Sequence, residues 1–213
     1  MAVKSNRRYD SRRREEQARL TRQAVVQAAE QLFLRDGFAA TTVASIAARA
    51  GVSAETVYKA FGGKPGLVRA ICERALAGDG SVAAETRSDE LQHRESDPRV
   101  VVRGWGRLSS EVAPRVTPIL LLLRAAATTD AQMAELQREM DDRRLSRMTR
   151  NARSLAPHLR SGLTLEDAAE VLWTYSSAEI YELLVLKRGW SPDRFGGFIA
   201  EAMIAALLPP SES

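Results

Sequence analysis

The chain has a single cysteine, Cys72, and only two histidines in 213 residues. One thiol excludes an intrachain disulfide framework and a multi-cysteine zinc site, and it fits a reducing, cytoplasmic compartment. His93 lies in a charged stretch and His158 follows Pro157, with no nucleophile or second ligand at useful spacing. A glycine-rich phosphate loop and a paired-histidine metal motif are also missing. These gaps point away from an enzyme and give no reason to expect a metal or a cofactor. Glycine and proline, at 13 and 8 residues, are too sparse for a fibrous or largely disordered chain. An apolar run such as Ile119–Leu123 falls far short of the roughly 20 residues that a membrane helix needs, so no membrane partner is expected. The polar, arginine-rich N-terminus has no apolar run behind it, and a secretory signal is not expected either.

What the chain does have is an ordinary globular composition, 45% hydrophobic and 27% charged, which at this length supports one large domain or two small ones. Its charge is unevenly placed. Residues 1–75 carry 14 Lys/Arg against 7 Asp/Glu, a net of +7, whereas residues 76–213 carry 17 against 20, a net of −3. The asymmetry assigns any polyanionic partner to the first third, although the same charges also serve simply to solubilise it.

Residues 1–17 hold Arg7, Arg8, Arg12, Arg13 and Arg14 with few apolar neighbours, and read as a flexible basic arm. From Leu20 onward Val25, Ala28, Ala29, Leu32 and Phe33 recur at helical spacing, and Gly37 supplies a stop. A shorter helix follows, capped by Thr42, with Val43, Ile46, Ala47 and Ala50 as its apolar stripe and Gly51 as its end. Ser53 caps a third helix in which Val57 and Phe61 face inward. Gly62-Gly63 ends it, and Lys64-Pro65 opens a fourth, with Leu67, Ile71 and Ala75 buried, that runs up to Gly78. Residues 78–97 are polar and read as a linker, or as a weak helix between loops. Beyond them the pattern predicts helices near 98–112, 115–128, 130–155, 164–188 and 192–208, separated by Pro114, Thr129-Asp130, Pro157 and Gly189, then a tail over 209–213. No run of alternating β-branched residues predicts a strand. The expected fold is all-α, with a three-helix helix-turn-helix domain over 18–77 and a larger helical domain over 98–208.

The segment from Thr41 to Ser53 is the informative one. Two short helices joined by a glycine turn set the second helix for the major groove of DNA. Ala47 and Ala50 are small where the helices cross, Gly51 permits the turn, and Val52 fills the space beneath it. From Gln23 to Ala75 the chain resembles the TetR family of bacterial transcriptional regulators. The match runs through Leu32-Phe33 with Gly37-Phe38, Thr42-Val43 with Ile46-Ala47 and Ala50-Gly51-Val52-Ser53, Thr56-Val57-Tyr58 with Phe61, and Lys64 with Leu67. The resemblance implies a three-helix DNA-binding domain, a connecting helix, and a C-terminal helical domain for ligand binding and dimerisation. It also implies the partners: double-stranded operator DNA, a second copy of the chain as a homodimer, and a small-molecule effector that relieves repression.

Carried onto this chain, the resemblance makes Thr42 a helix cap that meets a phosphate, and a hydroxyl at a helix N-terminus suits an anion. Ser53, Ala54, Glu55, Thr56, Tyr58 and Lys59 span the outward side of the recognition helix, with Tyr58 on the DNA backbone or a thymine methyl. Lys59 and Lys64 neutralise phosphates. Ala60 departs from the family, where Tyr or His is common. Glu55 either accepts from a cytosine amino group or favours the helix dipole. Arg12, Arg13 and Arg14 either enter the minor groove or belong to a solvated tail.

In the C-terminal part, the 164–188 helix is apolar nearly all round and must be buried on several sides. With 192–208 it fits the four-helix interface that the family forms between copies, which assigns Tyr175, Glu179, Tyr181, Leu183, Phe198 and Met203 to a dimer interface. A large intramolecular core is the alternative. Glu179 is expected to pair with an arginine across that interface or to recognise a cationic effector. Met133, Leu136, Met140 and Trp173, with Trp105, Leu108 and Leu122, either line an effector pocket or are plain core. The rival reading of the whole chain is a helical ligand-binding or protein-interaction module without specific DNA binding.

Overall fold

The structure, a computed structural model, describes residues 3–78 and 82–210, with side chains from Arg12 onward. Regular elements among these residues are all helical. The chain divides into two compact units, Met1–Ile71 and Cys72–Ser213, so the boundary falls inside a helix rather than after residue 77.

In the first unit, α1 spans Val3–Ala40, α2 Val43–Ala50 and α3 Ala54–Phe61, and α4, Lys64–Ala77, begins. Residues 3–17, expected as a flexible arm, are helical instead. Arginine and glutamate are good helix formers, no glycine or proline interrupts the run, and Glu16 pairs with Arg19 one turn on at 2.5 Å. The side chains of Arg7 and Arg8 lie outside the described residues. Gly37 breaks α1 as expected, with φ 81° and ψ 167°. Val25, Ala29, Phe33, Ile46, Val57, Leu67 and Ile71 are buried almost completely and form the core of this unit.

The second unit begins within α4 and continues with α5 (Ala84–Arg94), α6 (Pro98–Ala127), α7 (Ala131–Leu155), α8 (Leu165–Tyr175), α9 (Ala178–Tyr181) and α10 (Pro192–Leu207). Three expectations are decided here. Of the two readings of 78–97, linker or weak helix, the helix is found: α5 buries Ala84 and Ser88 and is fastened to α6 by Arg87, whose guanidinium donates to both oxygens of Glu111 at 2.8 and 2.6 Å. The same bonds hold the Glu111 carboxyl below the usual carboxylate range. Residues 79–81 lie outside the described residues, as do 211–213 of the tail.

Secondly, Pro114 does not separate two helices, since α6 runs through both Pro114 and Pro118. The two prolines are four residues apart, so their missing N–H groups fall on one face. Val116, Thr117, Ile119 and Leu123 around them are buried, and that packing outweighs the local cost of about 3 kcal/mol per proline. Thirdly, the helix expected over 164–188 is broken at Ser176-Ser177 and ends in a π-helical turn, Glu182–Lys187. Three groups compete with helical bonding at the break. Ser176 Oγ and Arg144 Nη1 both donate to Trp173 O, at 3.1 and 2.5 Å, and Ser177 N donates to Thr174 O at 3.1 Å.

The core of the second unit joins α6, α7, α8, α9 and α10 through Val102, Trp105, Leu155, Leu172, Tyr181 and Ile199. Here α6 and α10 cross backbone to backbone. A Cβ added to Gly106 would lie 2.4 Å from Gly196 O, and one added to Gly196 would lie 2.4 Å from Gly106 O. Gly106→Ala is therefore expected to force the two helices apart and destabilise the fold by about 2 kcal/mol, in the range of overpacked cores. Urea unfolding would measure it, and an unchanged midpoint would show that the crossing has slack.

Candidate nucleic-acid interface

The first unit builds a helix-turn-helix from local signals. Thr42 Oγ1 accepts from Ser45 N at 3.0 Å and Ser45 Oγ accepts from Thr42 N at 3.2 Å, a reciprocal box that opens α2. Gly51 closes α2 in the left-handed conformation, φ 68°, and Val52 N donates back to Ala47 O at 3.0 Å. Two residues later Ser53 Oγ accepts from Thr56 N at 3.1 Å and starts α3. The corner ahead of α2 is fixed by Thr41, which is buried and whose hydroxyl lies 2.8 Å from Gly37 O and 3.2 Å from Leu32 O.

The fold brings most of the expected contact residues together. Ser53, Glu55, Thr56, Tyr58 and Lys59 are exposed along α3, and Tyr58 shows 56% of its surface. Ala54 is half-buried, and Glu55 sits in the first turn, where an anion favours the helix dipole. Thr42 is exposed at the start of α2, and Arg12, Arg13 and Arg14 are exposed on α1. Lys64 behaves differently. Its ammonium donates to Phe38 O at 2.6 Å and Thr41 O at 3.0 Å and lies 4.1 Å from the centre of the Phe38 ring. Lys64 thus holds the α1–α2 corner from the start of α4.

Two exposed arginines also bond back onto the protein, and neither was singled out from the sequence. Arg49 of α2 reaches Gln31 Oε1 of α1 through Nε at 3.0 Å and Nη2 at 2.7 Å. Arg22 of α1 donates to Ala60 O at 3.1 Å with its guanidinium 4.3 Å over the Phe61 ring. Both partners lie far off in sequence, so no local pattern marks them.

In the second unit the expected residues divide. Tyr181 and Met203, assigned to an interface between copies, are 4% and 3% exposed in the protomer's own core, where Tyr181 meets Phe195 edge to face at 5.1 Å. Burial raises the pKa of the Tyr181 hydroxyl. Glu179 finds its arginine within the chain: Arg124 donates to Glu179 at 3.0 Å and to Glu182 at 2.9 Å. Leu183 and Phe198 do face outward, at 53% and 42%, and Tyr175 is half-buried. Trp105, Met133, Leu136 and Met140 are buried, while Leu108, Leu122 and Trp173 are half-buried. Of these residues, Leu108 alone borders a cleft of about 390 Å³ between α5 and α6 that Arg87, Arg94 and Arg107 also line. The indole Nε1 atoms of Trp105 and Trp173 are buried without an acceptor among the described residues. Arg144 stacks 4.2 Å over Trp173, and desolvation by burial lowers its pKa.

The capping box sets up a simple test. Thr42→Ala removes the acceptor for Ser45 N and should cost about 1 kcal/mol of stability, read by chemical denaturation. A variant as stable as the parent would mean that Ser45 closes the turn alone.

Residues 25–71 match the family profile of bacterial regulatory proteins, tetR family. The HTH-type transcriptional regulator BetI of Stenotrophomonas maltophilia is 28% identical over 151 residues, 71% of this chain and 76% of that protein. TtgR of Pseudomonas putida, also an HTH-type transcriptional regulator, is 28% identical over 185 residues, 82% and 85% of the two chains. Two solved structures share the fold. A SmeT–triclosan complex superposes with a TM-score of 0.68 at 24% identity, covering 89% of this chain and 92% of the other. NalD, the secondary repressor of the MexAB-OprM multidrug efflux pump in Pseudomonas aeruginosa, gives 0.67 at 23% identity, covering 91% and 98%. The capped, glycine-turned helix pair and these likenesses agree: residues 25–71 form a helix-turn-helix domain of the tetR type, in a chain similar over most of its length to DNA-binding transcriptional regulators.

Proposed function

We propose that the protein is a homodimeric repressor that holds a two-fold operator through α2 and α3 and leaves it when a small molecule enters the C-terminal unit. The observation that carries the reading is the outward face of α3, where Tyr58 and Lys59 stand exposed, as does the capping Thr42 at the start of α2. Tyr58 offers a ring and a hydroxyl to base edges or backbone, and Lys59 offers a charge to phosphate. Thr42 and the first amides of α2 suit a second phosphate.

Dimerisation is supported by Leu183 and Leu186, each 53% exposed on the π-helical turn, and by Phe198 at 42% on α10. Side chains of this size left in water favour burial against a second copy. An effector is supported by the two indole N–H groups of Trp105 and Trp173 that find no acceptor among the described residues. A small, largely apolar molecule carrying an acceptor oxygen would satisfy such a donor. The SmeT–triclosan complex is a precedent for a small molecule bound by a protein of this fold.

Fluorescence anisotropy with the duplex immediately upstream of the protein's own coding sequence, against a scrambled duplex, tests the DNA reading. Tighter binding to the upstream duplex, falling steeply with salt, is expected. Equal binding to both would favour the rival, a helical module without specific DNA recognition. Leu183→Glu is expected to shift the protein from dimer to monomer in analytical ultracentrifugation. It should also weaken operator binding by about tenfold or more, because the two half-sites are then no longer bound as one unit. A variant that stays dimeric would place the interface elsewhere.

A further inference from the structure

We propose that Arg22 of α1 is a positioning residue for DNA recognition, which sets the orientation of α3 by binding its C-terminal end. The inference rests on the regulator reading above and adds a residue that a count of basic side chains would assign to phosphate.

The argument begins with how little holds α3. Eight residues form it, and Val57 is its only fully buried side chain. One apolar anchor fixes where such a helix sits but leaves it free to roll. Its first turn is tied down by Ser53. At its far end the carbonyls have no helical partner and carry the negative end of the helix dipole. Gly62 N takes Tyr58 O at 2.8 Å. Phe61 O is closed off by α4, since a Cβ on Gly66 would lie 1.8 Å from it. Of the two carbonyls between them, Ala60 O accepts from Arg22 Nη1 at 3.1 Å.

Arg22 also lies flat enough on Phe61 to place its guanidinium carbon 4.3 Å from the ring centre. The two contacts act on adjacent residues, a backbone oxygen and the neighbouring side chain, and together they resist rolling of α3. Tyr58 and Lys59 precede Ala60 directly, so a roll of α3 would carry both across the groove. A cation used in this way neutralises the end of a protein helix, not a phosphate. Lys64 and Arg49 serve the neighbouring corners in the same manner, but Arg22 is the one that touches the end of the recognition helix.

The experiment compares Arg22→Ala, Arg22→Gln and Lys59→Ala on the upstream and scrambled duplexes across a salt series. Circular dichroism and thermal unfolding check that each variant is folded. Arg22→Ala should weaken binding to the upstream duplex by about tenfold, the scale of one hydrogen bond from a charged group. It should leave the scrambled duplex and the salt slope unchanged. Arg22→Gln, a neutral donor, should restore part of the preference. Lys59→Ala should weaken both duplexes and lower the slope by about 1. The proposal is overturned if Arg22→Ala lowers the slope and weakens both duplexes alike, which marks a phosphate contact, or if it changes nothing. Should Arg22→Ala unfold, the Gln variant decides alone: specificity retained in part supports positioning, and full loss with a lower slope refutes it. A parent protein with no preference for the upstream duplex would instead refute the regulator reading itself.

Discussion

Burial of Val57 is the only complete apolar anchor of the recognition helix, and the first unit is organised around that scarcity. A helix that must offer most of its surface to DNA cannot bury much of it. Its orientation therefore has to come from its ends and its neighbours: Ser53 at the start, Arg22 and Gly66 at the finish, and Arg49 and Lys64 on the elements beside it. Each of these links is polar or depends on close backbone approach, and none needs the outward face of α3. The charge excess of the first third is thus divided between holding the helix pair and meeting the polyanion.

How much of this was legible in the sequence follows from the range of each interaction. The caps at Thr42 and Ser53, the turn at Gly51, and the apolar stripes of α1 and α2 are set within four residues, and they emerge in the structure as expected. Arg22 and Ala60 are 38 residues apart, and Arg124 and Glu179 are 55 apart, so only folding introduces them to each other. The same limit explains Lys64, which looked like a phosphate ligand until its two carbonyl partners were in view. Local rules also failed where packing opposed them. Pro114 was expected to end a helix that its buried neighbours keep intact. Ser176-Ser177 looked innocuous in an apolar stretch, yet its hydroxyl and amide groups join Arg144 in taking over the last carbonyls of α8. Tyr181 and Met203 show a further gap: periodicity marks a residue as buried without saying whether its own chain or a partner covers it.

The second unit combines a closed core with an unfinished surface. Tyr181, Phe195, Leu172 and Ile199 are sealed within the protomer, while Leu183, Leu186 and Phe198 on nearby turns remain in solvent. Arg124 braces the interrupted region by bonding to Glu179 and Glu182, one on either side of the passage from α-helix to π-helix. Its hydrogen bond keeps the Glu182 carboxyl below the usual range, with a hydrogen bond from Lys187 adding to the effect. The break in the apolar helix therefore divides its two duties, with α8 committed to the core and the π-turn left outward-facing.

The crossing of α6 and α10 has a mechanical consequence. At Gly106 and Gly196 the two backbones touch with no side chains between them, and Ala200 and Ser110 stand close on either side of the contact. Sliding either helix along the other would drive a Cβ into a peptide group. The ion pair from Arg103 of α6 to Glu201 of α10, at 3.0 Å, ties the same two helices beside the contact, so the crossing fixes the register of α6 against α10.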